Sequence, residues 1–251
     1  MKIQVYLTFA VMTLTSVAHA AVIYSENFDS LSAGALVGQG GWTLNNAGTS
    51  NVVNDASEAY SAPNYMTLGG SGAVQHTFAA TSLSAESTNL SFYFLSTATA
   101  AGHNIQLSLR AAASGSASVF YLNLLGAGTG LQAGISSSSF SSYTFSSALT
   151  LNSYYLFSAT TDPLTSQMTF SVTPASGGSA LTSGTIDLSS TLLTTQRIVL
   201  SSNSSTVAGE WAIDNISFAT VPEPGTVTLL LAGMVVGVIR LRHLALKMRN
   251  R

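Results

Sequence analysis

Residues 211–218 read Trp-Ala-Ile-Asp-Asn-Ile-Ser-Phe, and two apolar alternations meet in them out of phase. Trp211 and Ile213 keep one parity, Ile216 and Phe218 the other, so the pattern slips by one residue at Asp214-Asn215. Side chains on a strand alternate with period two, and a β-bulge at the slip returns all four apolar groups to one face. The stretch therefore predicts a bulged strand with one buried side.

The same period recurs upstream. Ile105, Leu107 and Leu109 alternate with Gln106, Ser108 and Arg110, and Met168, Phe170 and Val172 with Gln167, Thr169 and Ser171. Each is a strand with one wet face. Similar runs lie near 42–46, 65–68, 73–79, 89–95, 117–125, 153–161, 184–188 and 196–201, between clusters of Gly, Ser, Asn or Pro, and no helical periodicity interrupts them. Many short strands with turn signals predict an all-β, antiparallel β-sandwich. Asp162-Pro163 predicts a turn that joins 153–161 and 167–173 as a hairpin. Ser and Thr make up about three in ten residues of 21–220, a composition that suggests disorder, but the alternation argues for a packed sheet.

The opening Glu-Asn-Phe-Asp-Ser-Leu-Ser-Ala-Gly-Ala-Leu-Val-Gly-Gln-Gly-Gly-Trp (26–42) and the closing Trp211 to Phe218 resemble exported bacterial domains with the concanavalin A-like, laminin-G-like jelly-roll fold. The resemblance implies that the first and last strands lie side by side, with Phe28 near the closing strand. It also makes Glu26, Asp29 and Asp214 neighbours, and hard oxygen ligands of that kind suit a structural Ca²⁺. The plainer expectation is that Asp29 caps a turn and Asp214 satisfies the bulge backbone.

Both ends read as handles. Lys2, the apolar run from Ile3 to Leu14 and Ala18-His19-Ala20 have the layout of a secretory signal peptide over residues 1–20, so the mature chain is expected to begin at Ala21. At the other end, Val221-Pro222-Glu223-Pro224 precedes an uncharged run from Gly225 to Ile239. The two prolines exclude helix and sheet from the motif and leave it extended. A hydrocarbon core needs roughly 20 helical residues, so a transmembrane helix would span about 225–246, its basic side chains reaching the interface. Arg240, Arg242, Lys247, Arg249 and Arg251 are five of the eight bases in the chain, and such a cluster stays cytoplasmic.

This tail resembles the PEP-CTERM sorting signal of Gram-negative bacteria over residues 221–251. The resemblance implies an inner-membrane-anchored intermediate, recognition by an exosortase-type processing enzyme, and delivery to the cell surface or extracellular matrix. That matrix would be the exopolysaccharide of a biofilm.

Residues 21–220 carry only Arg110 and Arg197 as bases against nine acids. Phosphate backbones are held by clustered Lys and Arg, so no nucleic acid is expected as a partner. Cysteine is absent, which removes disulfides and thiolate chemistry and leaves packing to hold one domain of about 200 residues together.

Catalysis is not expected. Jelly-roll glycoside hydrolases need two carboxylates about 5 to 9 Å apart, and this sequence has no paired acids on one strand face. A polysaccharide-acting hydrolase or lyase remains the alternative reading. A serine hydrolase lacks its Gly-x-Ser-x-Gly elbow. His76, in phase with Val74 and Phe78, reads as a strand histidine facing partly inward or at a rim, and His103 as a turn residue. Trp42 and Trp211 read as core.

Glycan adhesion needs aromatic platforms beside amide and charged groups. Alternation nominates Tyr93, Gln106, Arg110, Tyr121 and Asn123 as an outward set. The expected protein is a non-catalytic, structural or glycan-adhesive one.

Overall fold

An alternating strand buries one row of side chains, and two sheets that face each other with those rows inward make a core about 10 Å thick. The computed structural model describes residues 20–46, 48–96, 104–111, 117–126, 128–136, 138–188, 194–202 and 211–221. Among them are sixteen strands and no helix.

One sheet runs in the order β14 (Thr182–Asp187), β13 (Gln167–Pro174), β12 (Tyr155–Asp162), β7 (Thr88–Ser96), β16 (Trp211–Thr220), β5 (Asn64–Gly69), β4 (Thr49–Asn54) and β2 (Gly34–Ala35). Its ninth strand, β1 (Val22–Glu26), also pairs with β16. The other has seven strands in the order β11 (Ser139–Thr144), β10 (Gly130–Ser136), β9 (Ser118–Leu124), β8 (Ile105–Arg110), β15 (Thr194–Ser202), β6 (Ala73–Ser82) and β3 (Thr43–Asn46). The pairings are antiparallel throughout, as the alternating patterns require.

Aromatic rings close the space between the sheets. Phe157 of β12 meets Phe92 of β7 at 5.2 Å and Phe120 of β9 at 6.2 Å between ring centroids, so it touches both layers. Trp42 and Trp211 are fully buried. The predicted bulge is present: the β16–β7 register shifts between Asp214 and Ser217, and Asn215 takes φ 49°. Trp211, Ile213, Ile216 and Phe218 all lie in the core as a result.

The first and closing strands do lie side by side, with Tyr24 opposite Phe218 and Glu26 opposite Ile216. The predicted hairpin is β12–β13, in register from Tyr155–Pro174 to Asp162–Gln167. Asp162 shapes its turn by accepting from the Leu164 amide at 2.9 Å and the Thr165 hydroxyl at 2.9 Å.

Five strands fall outside the periodic runs of the sequence: β1, β2, β4, β10 and β11. The edge strand β11 is mostly exposed and so carries no clean alternation. In β10 the pattern is interrupted at Gly134, where a Cβ would meet the backbone of Ser139 and Phe140. Close approach of two chains demands glycine there, and that demand is not visible locally.

Residues 20–221 form one compact unit. The signal segment, Pro222, Glu223, Pro224, the 225–246 helix and the Arg240, Arg242, Lys247, Arg249 and Arg251 cluster lie outside the described residues. Among the described residues no helix is long and apolar enough to cross a membrane.

Candidate functional site

On the seven-stranded sheet the core takes Leu107 and Leu109 from β8, Phe120, Leu122 and Leu124 from β9, and Ile198 and Leu200 from β15. The residues between them point to the outer face. Register sets Gln106 opposite Asn123 and Ser201, Ser108 opposite Tyr121 and Val199, and Arg110 opposite Arg197. Across the next strands, Asn123 faces Gln132 and Val199 faces Gln75. A polar row thus crosses β6, β15, β8, β9 and β10.

Its members hold one another. Asn123 Nδ2 donates to Gln132 Oε1 at 2.8 Å, Ser201 Oγ to Gln106 Oε1 at 3.3 Å, Arg110 Nε to Ser108 Oγ at 3.1 Å, and an Arg197 guanidinium nitrogen to Gln75 Oε1 at 2.7 Å. The row is recessed at its centre: Tyr121 is 6% exposed, Asn123 4% and Arg197 3%, while Gln75, Gln106, Arg110 and Gln132 are half-buried. Burial pushes the Tyr121 phenol up and both guanidiniums down, and the charge of Arg197 lowers Arg110 further. Asn123 Oδ1 is buried with no hydrogen-bond partner. Gly134 stands opposite Tyr121 and Ser108 flanks it on the other side, so neither neighbouring strand lays a large side chain beside the ring.

Tyr93 is not part of this face. It lies on β7 of the nine-stranded sheet, so the structure gathers Gln106, Arg110, Tyr121 and Asn123 and separates Tyr93 from them. Sequence parity says which side of its own strand a residue takes but not which sheet the strand joins. Tyr93 instead stacks on Tyr60 of the β4–β5 loop at 3.5 Å and 14°, with Tyr154 edge-on to Tyr60 at 5.5 Å. Tyr60 was not legible as a partner because it comes from a loop, and Tyr154, expected within the 153–161 strand, sits just before β12.

The three carboxylates considered for calcium are engaged separately. Glu26 Oε1 accepts from the Phe28 amide at 2.8 Å, and Asp29 accepts from Asn27 Nδ2 at 2.8 Å and the Asn64 amide at 3.0 Å. Asp214 accepts from the Ser61 amide at 2.8 Å and the Asn215 amide at 2.7 Å. Among the described residues no three acidic or histidine side chains converge on a metal position. Hydrogen bonding of turn and bulge backbone accounts for Asp29 and Asp214.

His76 packs against Tyr24 at 4.5 Å and Trp42 at 5.6 Å, and its Nε2 lies 3.0 Å from the Gly40 carbonyl, which assigns it to the half-buried rim of the core. His103 lies outside the described residues.

No family model matches the chain, and no curated relative does. Solved structures do. Lectin I from Ulex europaeus, in complex with the methyl glycoside of α-L-fucose, is similar at 12% identity and a TM-score of 0.57 over 79% of this chain and 98% of that one. The fold is the legume-lectin jelly roll. The same jelly roll relates the chain to a carbohydrate esterase from Shiga toxin-encoding bacteriophage phi24B, at 13% identity and a TM-score of 0.56 over 80% of this chain and 99% of that one. A sialidase matches at 12% identity and a TM-score of 0.56 over 80% of this chain, which spans only 19% of that protein. At these identities the jelly roll is what is shared.

Proposed function

We propose that the chain is an exported, non-catalytic protein of the cell surface or exopolysaccharide matrix that binds glycan on the outer face of the seven-stranded sheet. A PEP-CTERM tail delivers it there, with an exosortase-type enzyme as its processing partner. The observation that carries the binding reading is the recessed polar row, and within it Asn123. A buried acceptor without a donor costs about 1–3 kcal/mol, and a sugar hydroxyl supplies the donor. Around the recessed Tyr121, the half-buried Gln106, Arg110 and Gln132 are rim groups for hydroxyls. The lectins that share the fold support this reading.

The test is binding of the full-length chain to a glycan array and to purified exopolysaccharide. Asn123→Leu and Gln106→Leu should each weaken binding about tenfold, the loss of roughly one well-placed hydrogen bond. Unaltered binding by both variants would overturn the site, and hydrolysis of the bound glycan would overturn the non-catalytic assignment.

A further inference from the structure

We propose a second, separate carbohydrate site on the outer face of the nine-stranded sheet: a stacking platform of Tyr60, Tyr93 and Tyr154 that takes a neutral pyranose chain. It does not depend on sugar binding at the seven-stranded face.

Four of the chain's nine tyrosines gather here, with Tyr65 close to Tyr154. Strand propensity explains tyrosines on sheets, but it does not explain Tyr60, which projects from a loop. Its ring lies flat on Tyr93 and is still 40% exposed. Tyr154 stands at 63° to it, so the two rings form a floor and a wall. The Tyr154 hydroxyl is buried beside the Tyr60 backbone.

The platform is held in place from below. Asp55 closes the loop by accepting from the Ser57 amide at 2.9 Å and hydroxyl at 2.6 Å, and its backbone carbonyl accepts from the Glu58 and Ala59 amides. The residue after Tyr60, Ser61, donates its amide to the wholly buried carboxylate of Asp214. A ring fixed in this way loses little entropy when a ligand stacks on it, and tyrosine offers flat apolar area at low rotamer cost.

The chemistry selects the ligand. The apolar face of a pyranose matches the Tyr60 ring, and its hydroxyls can reach the exposed carboxylate of Glu58, whose charge Tyr154 feels. The charged groups near the platform are acidic, Glu58, Asp214 and Asp55 among them, whereas Arg110 and Arg197, the bases of the domain, stand on the other sheet. Anionic sugars are therefore disfavoured and neutral ones admitted.

The experiment titrates the full-length chain, held in mild detergent, with cellohexaose, maltohexaose and mannohexaose. Nitration of Tyr60 by tetranitromethane is followed by mass spectrometry in parallel. At least one hexasaccharide is expected to bind and to slow nitration of Tyr60. Tyr60→Leu, which keeps apolar loop packing without a flat ring, should weaken that binding about tenfold, and Tyr60→Phe should retain it. Asn123→Leu on the opposite sheet should leave the protection of Tyr60 unchanged, which separates this site from the other. The proposal is overturned if no hexasaccharide binds, if saturating sugar leaves Tyr60 nitrated at the same rate, or if Tyr60→Leu binds as tightly as the parent at an unchanged melting temperature.

Discussion

Tyr93 and Asp214 stand opposite each other on β7 and β16, immediately before the bulge, with both side chains on the outer face of the nine-stranded sheet. Tyr93 receives the ring of Tyr60 and Asp214 receives the amide of Ser61, so two adjacent positions of the sheet seat two consecutive residues of one loop. The neighbouring Tyr60 hydroxyl and partial burial push the Tyr93 phenol up to about 12. Strand pairing thus supplies both the floor of the platform and its anchor.

Asp214 makes stability depend on pH. Burial, with a smaller contribution from the charge of Asp29, pushes its carboxyl up to about 6, against the pull of its hydrogen bonds from Ser61 and Asn215. A carboxyl whose pKa is higher folded than unfolded binds its proton more tightly in the native state. Its contribution is fully present below about pH 4 and is lost as pH rises to about 6. Asp214→Asn should therefore melt higher than the parent at pH 7.5 and close to it at pH 4, with a difference of at most about 3 kcal/mol. Equal melting curves at both pH values would refute the assignment. Asp55 and Asp162, which local hydrogen bonds hold below the usual carboxylate range, act at lower pH and in the opposite sense.

Asn215 carries the bulge at φ 49°, and its Oδ1 accepts from the Ser61 hydroxyl at 3.1 Å. A β-branched residue is strained in that region of backbone space. Asn215→Val should cost about 2–3 kcal/mol, the strain together with the lost bond, and Asn215→Gly about 1 kcal/mol, the bond alone. Urea unfolding of the two variants checks the order, and a Val variant as stable as the Gly one would count against a bulge at this residue.

Phe157 bridges the two sheets and is fully buried, whereas Leu164 in the β12–β13 turn is 93% exposed. Phe157→Ala should destabilise by roughly 3–5 kcal/mol and Leu164→Ala by less than about 0.5 kcal/mol. Chemical denaturation of both on one day gives the contrast directly.

The sorting proposal has its own measurement. Intact mass of the protein recovered from the cell surface should correspond to a chain that starts at Ala21 and ends near the Val221-Pro222-Glu223-Pro224 motif. A Pro222→Ala, Pro224→Ala double variant should keep its tail and accumulate in the inner membrane. A surface protein that retains Arg251 would reduce the tail to a plain anchor.

Much of the fold was legible because period-two alternation is a local property. The runs at 105–110 and 167–173 became β8 and β13, and the slip at Asp214-Asn215 became the bulge. The edge strand β11 and the glycine-bearing β10 were not legible, since exposure and close approach erase the alternation. For the site, parity put Gln106, Arg110, Tyr121 and Asn123 on the outward side of their strands, and β8–β9 pairing then gathered them. Parity gave Tyr93 the same label although its strand belongs to the other sheet.

What the chain's order of residues determined by itself is eleven of the sixteen described strands, the buried side of those strands and the absence of cysteine chemistry, because alternation depends on neighbours a few positions apart. Tertiary structure alone decided which strands share a sheet, that Arg110 meets Arg197, and that Tyr60 lies on Tyr93. Those contacts join residues tens of positions apart, and they arise only when two whole sheets bury their apolar rows against each other.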